Sequence, residues 1–350
     1  MGGGGIPSPR RPWRPTVARL LRTGAATAVT LGAADLARAA WTLPPPSPAD
    51  TDPDPSRTAA ASQAVSVIIP TLQEGRRIEA TVRALKALAP PPAEVIVSDG
   101  GSTDGTVAAA RRAGARVVRA GTAGRAAQMN AGAAVASSSL LWFVHADSRP
   151  PRGGVAALRR ALRDPGTVAG GFTTLIRYDG RPPRQEEEEE DTATPAGPLC
   201  LSMTLHNWGS TFYAPLLARP WAAAAGLRAL FGDQSIFVRA SDFGRVGGYR
   251  ADLPLMEDLA LVVDLHVAGP TDGAAHGVRA LWVAGPLRGR VRQLGPPCAT
   301  TSARRFVGWG SPLKATAIHF AVALAWYAGA PPHVLEGVVR ALYPAVSDVR

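Results

Sequence analysis

From Val65 onward the apolar positions alternate between short continuous runs and stripes at helical spacing. Val65-Ser66-Val67-Ile68-Ile69-Pro70 is a β-branched run closed by proline and predicts a buried strand. Ile78, Val82, Leu85 and Leu88 recur on one helical face and predict an amphipathic helix over 75–88, stopped by Pro90 to Pro92. Glu94-Val95-Ile96-Val97 predicts the next strand, and Thr106 to Ala113 the next helix. A third strand at Arg116-Val117-Val118 and a helix over Ala126 to Ala136 follow. Leu140-Leu141-Trp142-Phe143-Val144 is a fourth strand that runs out into His145-Ala146-Asp147. Unbroken apolar strands joined by helices predict an α/β fold, with a mostly parallel central sheet covered on both faces. Ligands of such sheets bind beyond the carboxyl ends of the strands. The polar clusters Thr71 to Glu74, Asp99 to Asp104 and His145 to Ser148 all fall at those ends.

Three stretches break the pattern. Residues 1–64 are arginine-rich, with Arg10, Arg11, Arg14, Arg19 and Arg22 preceding the first acid, Asp35. They read as a disordered leader, either a transit peptide for plastid or mitochondrion, a plain unstructured tail, or a signal anchor. Without targeting the location would be cytoplasmic or membrane-peripheral. Within 181–198, Glu186 to Asp191 form an unbroken acidic block between prolines, which repels itself and reads as a solvated insertion. Ala315 to Leu335 carries no Asp, Glu, Lys or Arg. Its helical part is short for a bilayer span, which leaves a packed core helix or a membrane-surface helix.

The 350 residues suffice for one large domain or two modest ones. The net charge is +11, almost all of it from arginine, since Lys86 and Lys314 are the only lysines. Arginine favours bidentate phosphate contacts. No nucleic-acid recognition module accompanies the charge, so it does not indicate DNA or RNA binding. Cys200 and Cys298 are too few for a disulfide scaffold or a four-ligand zinc site and read as two buried reduced thiols.

Several residues have both a chemical and a structural reading. Asp99, at a strand tip, suits a base or ribose donor, while Gly100 and Gly101 allow close backbone approach. Asp104 is a natural helix N-cap. Asp147 either caps the next turn or holds a cation; a hard divalent ion needs few protein ligands when a diphosphate supplies the rest. Glu257 and Asp258 open a helix, where the dipole favours acids, and one of them could face a reacting centre as general base. Arg304 and Arg305 either clamp a diphosphate or form a solvated pair.

Together these segments resemble the family 2 glycosyltransferases of GT-A fold from about Val65 to Tyr343. The subgroup named for association with radical-SAM and selenium-related domains is the most similar. The resemblance rests on Val65 to Glu74, with Gln73 where the family generally has asparagine, and on Val97-Ser98-Asp99-Gly100-Gly101-Ser102-Thr103-Asp104-Gly105. It continues with Gly124-Arg125-Ala126-Ala127-Gln128-Met129-Asn130-Ala131-Gly132, and with His145-Ala146-Asp147 at the DXD position. Gly232-Asp233-Gln234, Val246-Gly247-Gly248-Tyr249, Pro254 to Asp258 and Thr301 to Phe306 follow in order. It implies an inverting, metal-dependent transfer of a sugar from a nucleotide-diphosphate donor. Thr71, Glu74, Asp99, Gly101 and Arg125 are then nucleotide-binding, and Asp147 holds Mg²⁺ or Mn²⁺, with His145 a second ligand or an outer-shell donor. Asp258 is the general base, and Asp233, Gln234, Glu257, Arg304 and Arg305 serve the diphosphate or acceptor. Asn130 is expected to order its loop. The donor would be a UDP- or GDP-sugar; the acceptor hydroxyl or carboxyl is unspecified, with the late apolar helix favouring a lipidic acceptor and peripheral membrane contact.

A sugar nucleotidyltransferase would carry a glycine-rich loop with Arg and Lys after the first strand, which Thr71 to Arg77 is not. A dinucleotide oxidoreductase would carry Gly-x-Gly-x-x-Gly there, and Pro70 to Gln73 has no glycine. A nucleotide-sugar-binding protein without turnover is the remaining alternative, and the joint presence of Asp99, Asp147 and Asp258 speaks against it.

Overall fold

A computed structural model describes residues 63–122, 124–178, 197–218, 220–253, 255–268, 289–304, 312–327, 330–331 and 333–337. The leader up to residue 62, most of the acidic insertion and Arg305 lie outside these residues.

β1 (Val65–Thr71) lies between β2 (Glu94–Asp99) and β4 (Leu140–Phe143), parallel to both, and β2 pairs in parallel with β3 (Arg116–Arg119). The connecting helices are α1 (Ile78–Lys86), α2 (Thr106–Arg112) and α3 (Arg125–Ala134). Every residue of β1 is buried, because alternate side chains enter opposite cores. Val67 and Ile69 pack with Ile78, Val82 and Leu85 of α1, while Ile68 packs with Met129 of α3 on the other face. That two-sided burial is why the strand reads as an unbroken apolar run, each such side chain contributing roughly 1.5–3 kcal/mol. Gly132 lets α3 approach: a Cβ there would stand 2.4 Å from Ile68 Cγ2.

The second half of the sheet is mixed. β7 (Phe237–Arg239) runs antiparallel to β4, and β6 (Thr167–Arg177) runs antiparallel to β7. β8 (Arg290–Ser302) is parallel to β6, and the short β5 (Ser148–Arg149) ends the sheet antiparallel to β8. The full order is β3-β2-β1-β4-β7-β6-β8-β5. The architecture is thus the expected α/β one, a mostly parallel sheet flanked by helices, with α4 (Gly154–Arg163) preceding β6.

A third core gathers α5 (Leu201–Ala218), α8 (Glu257–Ala268) and α9 (Pro312–Tyr327); α6 (Pro220–Ala224) and α7 (Ala240–Arg245) are short connectors. Ile318 and Val322 of α9, which packs on α5, are buried in the same core as Leu259 and Val263 of α8. The late apolar segment is therefore a packed helix, and no helix among the described residues is long and apolar enough to cross a membrane.

Three local expectations change. The first helix starts at Ile78, because Arg77 and Ile78 N–H both turn back to the Glu74 carbonyl. The N-cap of α2 is Gly105, at φ 87°, instead of Asp104; Asp104 Oδ1 still accepts from Thr106 N, and Oδ2 accepts from Gly75 N, tying two loops together. Of the two thiols only Cys200 is buried; Cys298 is half-buried on β8.

Candidate active site

The parallel register places Thr71 opposite Asp99, so β1 and β2 end level and open one polar floor. Asp99 Oδ2 accepts from Gly101 N (2.9 Å) and Ser102 N (3.0 Å). Its Oδ1, like Thr71 Oγ1, is buried with no hydrogen-bond partner. Gly101 has φ 102° with open space where a Cβ would be, so backbone is presented there. Gly100 has a different reason to be glycine: a Cβ would stand 2.2 Å from Gln128 Nε2, which donates to the Thr71 carbonyl at 2.6 Å. Gln73 sits at φ 57°, a region where asparagine is at home and glutamine is uncommon. Its amide bridges to Thr103, accepting from Thr103 N (2.8 Å) and donating to Thr103 Oγ1 (3.1 Å). Gln73 thus holds a left-handed backbone with its own side chain engaged.

Beyond β4, Asp147 is 5% exposed and Glu74 follows β1. One guanidinium joins them: Arg304 Nη2 lies 3.1 Å from Asp147 Oδ2 and donates to Glu74 Oε1. Two carboxylates from separate loops thus converge on one positive charge, as a cation site requires. Among the described residues no three His, Cys, Asp or Glu side chains form a ready-made metal cage. A cation held there would draw its remaining ligands from a bound diphosphate. The residues fit such an ion.

His145 points elsewhere. Its Nε2 and Asp258 Oδ2 each lie 2.7 Å from the position a Cβ would take on Gly232, so the two atoms are at most twice that distance apart. Gly232 is the close approach that permits this. Asp258 and Glu257 open α8, preceded by Met256 at φ 69°. A non-glycine residue held there carries strain on the order of 1–3 kcal/mol, a pattern that clusters at functional sites. Arg125, at the start of α3, donates from Nε to Glu257 Oε1 (2.5 Å) and from Nη2 to Asp258 Oδ2 (3.3 Å). Burial pushes the Asp258 carboxyl up to about 7; Arg125 opposes the rise, and the charges of Glu257 and Asp233 add to it. Asp258 Oδ1 is buried with no hydrogen-bond partner.

The turn Gly232–Gln234 is fixed from α5. Gln234 is fully buried, donating to Asn207 O and Thr211 Oγ1 and accepting from Phe231 N. Its amide is wholly engaged within the protein, so it positions the turn instead of meeting a ligand. Asp233 keeps its carboxylate near Asp258 and accepts from Asn207 Nδ2 at 2.6 Å. Asn130 exchanges hydrogen bonds with Tyr249 N and O, at 2.9 and 2.7 Å, and orders the Gly-Gly-Tyr loop as expected.

The site residues thus fall into three contact clusters at the ends of β1, β2 and β4: Thr71, Asp99 and Gly101; Glu74, Asp147 and Arg304; and Arg125, His145, Asp233, Glu257 and Asp258. Gln234 is buried in the turn that carries Asp233. Sequence reasoning missed Asn207 and the role of Gln128. Gln128 falls within a motif whose spacing from Arg125 is one helical turn; Asn207 has no local signal.

The chain matches the sequence profile of glycosyl transferase family 2 over residues 66–213. No curated protein matches its sequence. Solved structures with some likeness include glucosyl-3-phosphoglycerate synthase from Mycobacterium tuberculosis in complex with Mn²⁺, UDP and phosphoglyceric acid, at 20% identity and a TM-score of 0.48, covering 78% of this chain and 81% of that one. The same enzyme with Mg²⁺ and UDP gives 20% identity and a TM-score of 0.47, covering 78% and 82%. The profile match covers β1 to β4 with their loops, from Thr71 to Asp147 of the site, and this part of the chain is similar to glycosyl transferase family 2.

Proposed function

We propose that the chain is an inverting, metal-dependent transferase that moves a sugar from a nucleotide diphosphate to an acceptor hydroxyl. The observation that carries this is Asp258: a nearly buried carboxylate with one unpartnered oxygen, its pKa raised to about 7, held by Arg125 beside His145 and Asp233. A base poised near the working pH is what proton removal from a hydroxyl needs.

On this reading Asp99 Oδ1 and Thr71 Oγ1 receive the nucleoside, and Gly101 lets its backbone approach. Mg²⁺ or Mn²⁺ bound at Asp147 would neutralise charge developing on the diphosphate. Arg304 exchanges its hold on Glu74 and Asp147 for the diphosphate oxygens, which it meets as a planar fork. Asp258 takes the proton of the acceptor hydroxyl. The oxygen attacks the anomeric carbon from the face opposite the diphosphate, whose C–O bond breaks with the electron pair leaving on phosphate oxygen. Configuration inverts. The segment Gly124 to Gly132 supports the subgroup resemblance as well, since Arg125, Gln128 and Asn130 each bind a separate part of the site.

Nucleotide release from UDP- and GDP-sugars, with and without Mn²⁺, tests the reading. Release that depends on Mn²⁺ and on one base is the expected result. Failure of every nucleotide and nucleotide sugar to bind in the presence of Mn²⁺ would overturn it.

A further inference from the structure

The side of the site facing α5 and α9 has its own chemistry. Asn207 Nδ2 donates to Asp233 Oδ2; a carboxylate only accepts, so this bond fixes the amide's orientation and makes Oδ1 its remaining acceptor. Asn207 is 5% exposed, and that Oδ1 is buried without a hydrogen-bond partner. Asp258 Oδ1 is a second buried acceptor in the same condition, linked to the first through Asp233. Next to Asn207 on α5, the His206 ring is hydrogen-bonded through Nδ1 to Tyr213 OH. It stacks on His319 of α9 with centroids 6.4 Å apart and planes 6° apart. His319 lies within reach of the charge on Arg125, so the stacked pair borders the same cluster. His206, Tyr213 and His319 keep solvent contact although protein packs round them on most sides, as residues on a cleft floor do.

We propose that Asn207, His206, Tyr213 and His319 form, with Asp233, an acceptor subsite for a neutral polyhydroxylated molecule, a sugar or polyol. This rests on the glycosyl-transfer reading above. Buried oxygens that only accept need a ligand that donates, since leaving a buried acceptor unmatched is unfavourable. A hydroxyl donates; a phosphate dianion or carboxylate has no proton to give. Glu257 and Asp258 face the guanidinium of Arg125 here and Asp233 adds its charge beside Asp258, so negative charge outnumbers positive and the field repels an anion. Burial holds His206 near pKa 4 and His319 near 3, so neither ring brings a positive charge at neutral pH. The flat rings offer a surface for the C–H face of a sugar.

The test measures nucleotide release from UDP-glucose and GDP-mannose with Mn²⁺ in two acceptor arms. One arm holds glucose, sucrose and glycerol; the other holds gluconate, a glucose phosphate and phosphoglycerate. Release above the acceptor-free rate is expected in the neutral arm. Asn207→Ser and His319→Gln should each raise the acceptor KM by about tenfold or more, with a smaller change in kcat, since a hydrogen-bonding site discriminates strongly on lost partners. Retained affinity for UDP or GDP with Mn²⁺ shows that each variant is folded. Stimulation confined to the anionic arm, stimulation in neither arm while nucleotide still binds, or an unchanged acceptor KM in both variants overturns the inference. Absence of nucleotide binding by the unaltered protein sinks instead the transfer reading on which it rests.

Discussion

At the residue scale the account turns on carboxylates in unequal surroundings. Asp99 is held by two backbone N–H groups, Asp147 by Arg304, and Asp258 lies where burial outweighs its one arginine. Asp258→Asn is expected to lower kcat by on the order of 10²–10⁴-fold while nucleotide affinity persists. Full activity in that variant would remove the base assignment. The same residue sets a pH dependence: turnover should rise through an apparent pKa near 7, because only the ionised carboxylate accepts a proton. Stability should run the other way. A carboxyl whose folded pKa exceeds its unfolded value favours the folded state below about pH 4, and that contribution is lost as pH rises to about 7. The Tm of Asp258→Asn should therefore fall less between these pH values than that of the unaltered chain; an equal fall would mean the carboxyl is not perturbed by folding. The three acids were legible from the sequence because each follows an apolar strand or opens a helix inside a motif. Asn207 and the burial of Gln234 were not, since both depend on α5 packing against a turn about 26 residues further on.

At the scale of elements, glycines report where backbone and side chain crowd. In β6, a Cβ on Gly170 would lie 2.3 Å from Phe237 Cζ and 2.8 Å from the Arg292 carbonyl of β8. The carbonyl belongs to the sheet's own ladder and cannot yield cheaply. Gly170→Ala should cost about 1–3 kcal/mol, read as a lower urea midpoint with an unchanged slope. An unchanged midpoint would mean that β6 and β8 are less tightly spaced than described. The strands and helices up to β4 were readable because both-face burial writes itself as continuous apolar runs and proline or glycine punctuates them. β6 and β8 were not. β6 contains Gly170-Gly171 and β8 contains Pro296-Pro297, breaker residues inside long strands whose pairing with each other decides their conformation. The shift of the α2 cap from Asp104 to Gly105 has a similar origin, since Asp104 is also engaged by Gly75 from another loop.

At the scale of the whole molecule, the nucleotide floor is assigned in the proposed reading to the parallel half of the sheet, and the acceptor side to the turn and helices of the mixed half. The site lies beyond β1 and β4, beside the point where β4 meets β7 and strand direction changes. A ligand spanning both halves should stabilise the folded chain by mass action, about 2.7 kcal/mol at a hundred times its Kd. A Tm rise with UDP or GDP plus Mn²⁺ larger than with either alone is expected; equal shifts with nucleotide alone would separate the cation from the nucleotide. The most direct measurement is calorimetric titration of a nucleoside diphosphate with Mn²⁺ into the unaltered chain and into Asp99→Asn, Asp147→Asn and Asp258→Asn. The account expects affinity to fall sharply in the first two variants and to survive in the third, the one acid assigned to the acceptor proton. Equal affinity in all four proteins, or a loss in Asp258→Asn as large as in Asp147→Asn, would contradict it.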